Sequence, residues 1–104
     1  TVASYYGSNK YYIDSSRQAT VNLSEGSTYR FDQSDSSNSG HPLRFSTTSD
    51  GTHASGSEYT TGVTTNGTPG SSGAYTQITV ASGAPTLYYY CTNHSGMGGT
   101  ANTP

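Results

Sequence analysis

Apolar and aromatic residues in this chain recur at every second position wherever a pattern can be read, and nowhere with helical spacing. Such alternation puts one face of an extended segment inward and the other outward, the mark of half-buried strands. Lys10 to Asp14 places Tyr11 and Ile13 on one face. Ala19, Val21 and Leu23 share a face in Gln18 to Leu23. Thr28 to Asp32 turns Tyr29 and Phe31 inward and Arg30 outward, and Glu25-Gly26 predicts a hairpin joining these two runs. From His41 to about Thr47, His41, Leu43 and Phe45 line the inner face and Arg44 the outer. Ala74 to Val80 sets Thr76, Ile78 and Val80 against Gln77 and Thr79. In Thr86 to Cys91, Leu87, Tyr89 and Cys91 oppose Tyr88 and Tyr90.

Turn residues punctuate these runs at Asp14-Ser15-Ser16, Asp32 to Gly40, Asn66-Gly67, Pro69-Gly70 and Ala81 to Pro85. Thr48 to Gly73 is glycine-rich and lacks a sustained period, apart from an expected edge strand in Glu58 to Val63. A long irregular connection suits a sandwich whose chain crosses between its sheets. No internal repeat and no helix start signal interrupts the pattern, so the expected fold class is all-β.

The core such strands can build is thin. Leu, Ile, Val and Phe together number only 11 of 104 residues. That shortage would point to disorder if net charge were high, but the formal charge is −2. Ten tyrosines supply the missing apolar area, burying their ring faces while their hydroxyls stay bonded or wet. The length fits one domain, 1–104. Four scattered basic residues cannot make a phosphate-binding stripe, which argues against nucleic acid. No stretch reaches the apolar length of a membrane span, so membrane insertion is not expected. The chain starts at Thr1, which fits a processed exported protein or an excised piece of a larger one. The Ser/Thr-rich, weakly charged composition leans toward a periplasmic, extracellular or particle-surface setting.

Chemistry concentrates near the C-terminus, in Cys91-Thr92-Asn93-His94-Ser95-Gly96-Met97. The only cysteine stands three before a histidine, and that histidine three before the only methionine. A thiolate, an imidazole and a thioether this close suit a soft, redox-active metal. His41, an inward polar residue at the mouth of a strand, is a second imidazole. Two imidazoles and a thiolate with a weak thioether make the ligand set of a blue-copper electron-transfer site. Zinc is the chemical rival, since Cys and two His suit Zn²⁺, but a thioether is a poor zinc ligand. Taken singly, Cys91 reads as a small buried hydrophobe, His94 as a solvent-facing loop residue and Met97 as a gap filler.

Tyr88-Tyr89-Tyr90-Cys91-Thr92-Asn93-His94-Ser95-Gly96-Met97 resembles the C-terminal ligand loop of the cupredoxins, the plastocyanin, amicyanin and pseudoazurin group. Its spacing is most similar to the short amicyanin-type loop. Upstream, Ser24 to Phe31 followed by Gly40-His41-Pro42-Leu43-Arg44-Phe45 resembles the family's region where the first His ligand opens a strand after a polar loop. The resemblance spans roughly Val21 to Phe45 and Ala74 to Gly99. It implies an eight-stranded Greek-key β-sandwich or barrel with one copper ion. Carried across by position, it implies His41, Cys91 and His94 as equatorial ligands and Met97 as the axial one.

This chain departs from the family at Pro42. Many cupredoxins have Asn there, whose N–H donates to the cysteine sulfur, whereas proline has no N–H. One donor fewer leaves a more electron-rich thiolate and a lower reduction potential. Gly40 before His41 resembles the azurin subgroup, where the carbonyl before the first His lies near the metal.

Other candidates read as structural. His53, in Asp50-Gly51-Thr52-His53, is expected to be an exposed loop residue. Tyr88 to Tyr90 packs rather than relays electrons, with Tyr89 below the site. Asp32 and Asp35 cap a loop rather than form a catalytic pair. The Asn-x-Ser/Thr matches at Asn22, Asn66 and Asn93 carry little weight by themselves. No nucleophile–base pair, phosphate loop or carboxylate dyad appears, and four protein ligands leave no open position for substrate. The expectation is a non-enzymatic, monomeric, outer-sphere one-electron carrier with a transient redox partner protein. The alternative is a structural or adhesive β-sandwich module of a larger surface or virion protein, its fold stapled by copper.

Overall fold

The computed structural model describes residues 1–104 and is all-β, with two short 3₁₀ turns, Ser36–Asn38 and Gly51–Ala54, as its only helical segments. The strands are β1 (Val2–Tyr5), β2 (Ser8–Ile13), β3 (Ser16–Arg17), β4 (Val21–Asn22), β5 (Thr28–Asp32), β6 (Leu43–Ser46), β7 (Glu58–Tyr59), β8 (Val63–Asn66), β9 (Tyr75–Thr79), β10 (Leu87–Cys91) and β11 (Gly99–Asn102). Eleven strands stand where the cupredoxin resemblance implies eight; β3, β4 and β7 are only two residues long. No helix is long and apolar enough to cross a membrane.

Three open sheets form, ordered β4-β11-β10-β6-β7, β5-β9-β8 and β1-β2-β3. The first two share one hydrophobic core, which fits a β-sandwich. Phe45 and Leu87 enter it from one sheet and Ile78 from the other, each fully buried. Phe31 meets Phe45 across the gap at 5.3 Å between ring centroids, an edge-to-face pair. Tyrosine rings fill what the aliphatics do not: Tyr11 and Tyr89 are both core members. Burial pushes the Tyr89 phenol up to about 12, so it remains a donor and bonds the Ala19 carbonyl at 2.6 Å.

The alternation read from sequence sits on these strands, with Tyr29 and Phe31 packed against the core, Thr76, Ile78 and Val80 buried, and Leu87, Tyr89 and Cys91 buried. One expectation fails. Gln18 to Leu23 and Thr28 to Asp32 do not pair as a hairpin. β4 runs parallel to β11, while β5 pairs antiparallel with β9 in the facing sheet. The Glu25-Gly26 turn exists, but Gly26 N–H donates to the Val80 carbonyl and Val80 N–H to the Ser27 carbonyl. Leu23 N–H meanwhile donates to the Asn102 carbonyl. The turn is therefore an arch between sheets, and each strand finds a ladder elsewhere. The expected edge strand also divides: Glu58–Tyr59 borders one sheet and Val63–Asn66 the other.

Candidate metal centre

β10 and β6 pair antiparallel, with Cys91 opposite Leu43. The Thr92 N–H then donates to the Pro42 carbonyl at 3.2 Å, carrying the pairing one step past the strand ends. This register sets the residue leaving β10 beside the residue entering β6, so Cys91 and His41 converge from positions fifty apart in sequence.

His41 Nδ1 and His94 Nδ1 each lie 3.7 Å from Cys91 Sγ. One donor atom from each of the three residues falls within 4.8 Å of the others. The two imidazole rings are 4.7 Å apart, centre to centre. An ion bonded to imidazole nitrogen at about 2.0–2.1 Å and to thiolate at about 2.3 Å spans a 3.7 Å donor separation at an angle of about 115°. Each histidine thus stands at the separation from Cys91 that a shared ion needs, and the cluster could hold a metal ion. Cys91 is fully buried and His41 only 8% exposed, whereas His94 is exposed. Burial first, and the neighbouring His94 second, hold the His41 pKa below the ordinary histidine value. The imidazole thus stays neutral at neutral pH, with one ring nitrogen free to bind a cation. Met97 is buried at 1% in the same hydrophobic cluster as Cys91.

The ligand loop is tied down on every side. Tyr11 N–H donates to the Met97 carbonyl at 3.0 Å. Lys10 Nζ donates to the Gly96 carbonyl at 2.7 Å, and Gln18 Nε2 to the Gly98 carbonyl at 2.8 Å. Gly96 N–H donates to Asp50 Oδ1 at 2.8 Å. His53 is exposed, as a loop histidine should be, but its Nε2 lies 2.7 Å from the Cys91 carbonyl oxygen. Tyr90 turns away from the Cys91 face of the strand, as the alternation requires, yet it is buried, because the Gly51–Ala54 turn covers its ring.

His41 is held from behind by groups for which the sequence pattern gave no role at the site. Tyr11 Oη and Gln33 Nε2 both donate to its carbonyl at 2.7 Å, and its N–H donates to the Asn38 carbonyl at 2.8 Å. Burial, and then the Cys91 thiol, push the Tyr11 phenol pKa up, so the hydroxyl keeps its proton. Every buried side-chain nitrogen and oxygen has a partner. No pattern in the sequence marked Gln33 for this role. Asp32 and Asp35 cap the preceding loop as expected, accepting from the N–H groups of Ser34 and Ser37.

No family model matches the chain, and neither the curated proteins nor the solved structures yield a match. The site therefore stands on its geometry: a His–Cys–His cluster, two of its members buried and His94 exposed, able to hold a metal ion in an all-β domain.

Proposed function

We propose that this protein is a mononuclear type 1 copper protein of cupredoxin type, an outer-sphere one-electron carrier. The observation that carries this reading is the pair of equal 3.7 Å approaches of His41 and His94 to the Cys91 sulfur. Met97, buried in the same hydrophobic cluster as Cys91, would favour copper over zinc as the resident ion, since a thioether suits copper and is a poor zinc ligand. When bound, copper supplies a reversible Cu(I)/Cu(II) change.

The chain's own residues account for the rest. Cys91 ends a strand whose neighbours on both sides are laddered, so its sulfur has little freedom to move. His41 is fixed at its N–H and its carbonyl, and its burial excludes water from that side. A site that rearranges little presents a low barrier to electron exchange. His94 alone reaches solvent, and its ring edge is the exit to a partner. With Met97 as fourth ligand no position is open to substrate, so the reading includes no catalytic turnover. The low surface charge fits brief docking of a redox partner protein by a monomer, in an exported or particle-surface setting. In this reading the sandwich has Greek-key connections.

Titration with Cu(II) tests the proposal. Wild type develops an intense visible thiolate-to-copper band and Cys91→Ser does not; a colourless wild type without copper affinity ends it. A second reading, copper as a staple for a surface module, draws on the fifty-residue separation of His41 and Cys91. An ion joining them cross-links distant parts of a thin core. A staple shows a large metal-dependent rise in Tm with slow or no electron exchange; a carrier exchanges rapidly and reversibly in voltammetry.

A further inference from the structure

Pro42 follows a ligand at the mouth of β6 and brings no N–H to any neighbouring strand. Gln33 holds the opposite edge of the same segment, the one turned away from β10. Its Nε2 donates to the carbonyl of His41 at 2.7 Å, and its Oε1 accepts from the N–H of Leu43 at 3.0 Å. One side-chain amide thus grips the backbone on both sides of Pro42, as an adjacent strand would. Gln33 is itself immobilised: its N–H donates to the Ala74 carbonyl at 2.9 Å, and its carbonyl accepts from Gly70 N–H at 2.8 Å. The Tyr11 hydroxyl adds a second donor to the His41 carbonyl at 2.7 Å. Gln33 and Tyr11 are no more than 3% exposed, so water cannot replace either bond cheaply.

We propose that Gln33, together with Tyr11, is a positioning residue for the metal centre: it sets the backbone of His41, and through it where the imidazole stands relative to the Cys91 sulfur. The assignment rests on the metal-centre reading above. Its physical basis is that a carbonyl held by two donors, next to an N–H held by a third group, fixes the peptide planes on either side of His41. The Cα–Cβ bond then has one direction. Partners that orient ligands in this way change metal affinity by about 10–100-fold when removed. A clamp that merely holds the strand would lower Tm and leave the metal's spectrum and affinity alone.

The test compares wild type with Gln33→Leu, Gln33→Glu and Tyr11→Phe. Gln33→Leu removes both ends of the bridge. Gln33→Glu keeps the acceptor for Leu43 but sets a carboxylate against the His41 carbonyl, and Tyr11→Phe removes one donor while keeping the ring. Each is titrated with Co(II) and with Cu(II), read by its thiolate charge-transfer band, and melted without metal. The expected result is a shifted band and affinity about 10–100-fold weaker for both Gln33 variants, with a smaller loss for Tyr11→Phe. Should Gln33→Leu fail to fold, Gln33→Glu and Tyr11→Phe carry the comparison. Variants that match wild type in band and affinity overturn the positioning role and leave the metal centre standing, even if Tm falls. A wild type that shows no thiolate band with either ion removes the metal centre, and this role with it.

Discussion

The Asn93 side-chain amide donates to the Gly40 carbonyl at 3.0 Å, so the residue before His94 holds the residue before His41. Gly40 takes φ 78°, a backbone conformation that side chains disfavour. The carbonyl that the azurin-like resemblance would direct at a metal is bonded here to the other ligand loop. Asn93→Ala should cost about 1 kcal/mol in urea unfolding of the metal-free protein. It should also speed loss of bound copper to a chelator, measured by decay of the visible band. Unchanged release would mean that the two loops hold their places independently.

Cys91 Sγ faces the two imidazole nitrogens at 3.7 Å, and Pro42 offers it no amide. Pro42→Asn supplies one. A new donor to the thiolate of about 1 kcal/mol corresponds to a reduction potential higher by about 40 mV for a one-electron couple. Voltammetry of the two proteins decides it; a potential that stays or falls refutes the donor argument.

Two glycines should resist replacement for a steric reason. A Cβ on Gly98 would overlap the Tyr89 carbonyl, and one on Gly51 would lie 2.6 Å from the Tyr90 ring at φ 55°. Gly51→Ala should lower stability by about 1–3 kcal/mol, read from urea unfolding. Gly98→Ala meets backbone that cannot yield and should give no folded protein on a circular-dichroism melt.

His94 is exposed and bonds only to Cys91, at long range. His94→Ala should leave metal-free stability within about 0.5 kcal/mol of wild type. The wild type should gain about 4 kcal/mol from copper at a thousandfold excess over Kd. The variant should lose most of that gain, and stripping the metal should bring the two melting curves together. Copper stabilisation that survives His94→Ala would place the ion elsewhere.

Hydrogen bonds from Ser34 and Ser37 hold the Asp32 and Asp35 carboxyls below the usual aspartate range. Because the folded pKa values lie below the unfolded ones, the contribution is complete above the ordinary aspartate pKa. It is lost as pH falls through the folded values. Between about pH 5 and pH 2 the wild type should therefore lose more stability than the Asp32→Asn, Asp35→Asn double variant, whose amides do not titrate. Equal slopes in Tm against pH would show that the caps contribute nothing.

The two-residue period in Thr28 to Asp32, Ala74 to Val80 and Thr86 to Cys91 determined the strands and their inward faces, because alternation is a property of the local chain. The Cys91–His94 spacing likewise determined that these two side chains could meet. Which strands pair is not a local property. Glu25-Gly26 turned as its residues require, but whether the turn made a hairpin or an arch depended on β9 and β11 offering better ladders to β5 and β4. Gln33 and His53 have no pattern of their own, and Tyr11's alternation gave only its inward face: each matters because folding set its polar end against the backbone of His41 or Cys91. The sequence by itself thus determined an all-β chain carrying a soft donor set. Only tertiary structure decided that His41 arrives beside Cys91, because that approach needs the β6–β10 register and the buried amide that spans Pro42.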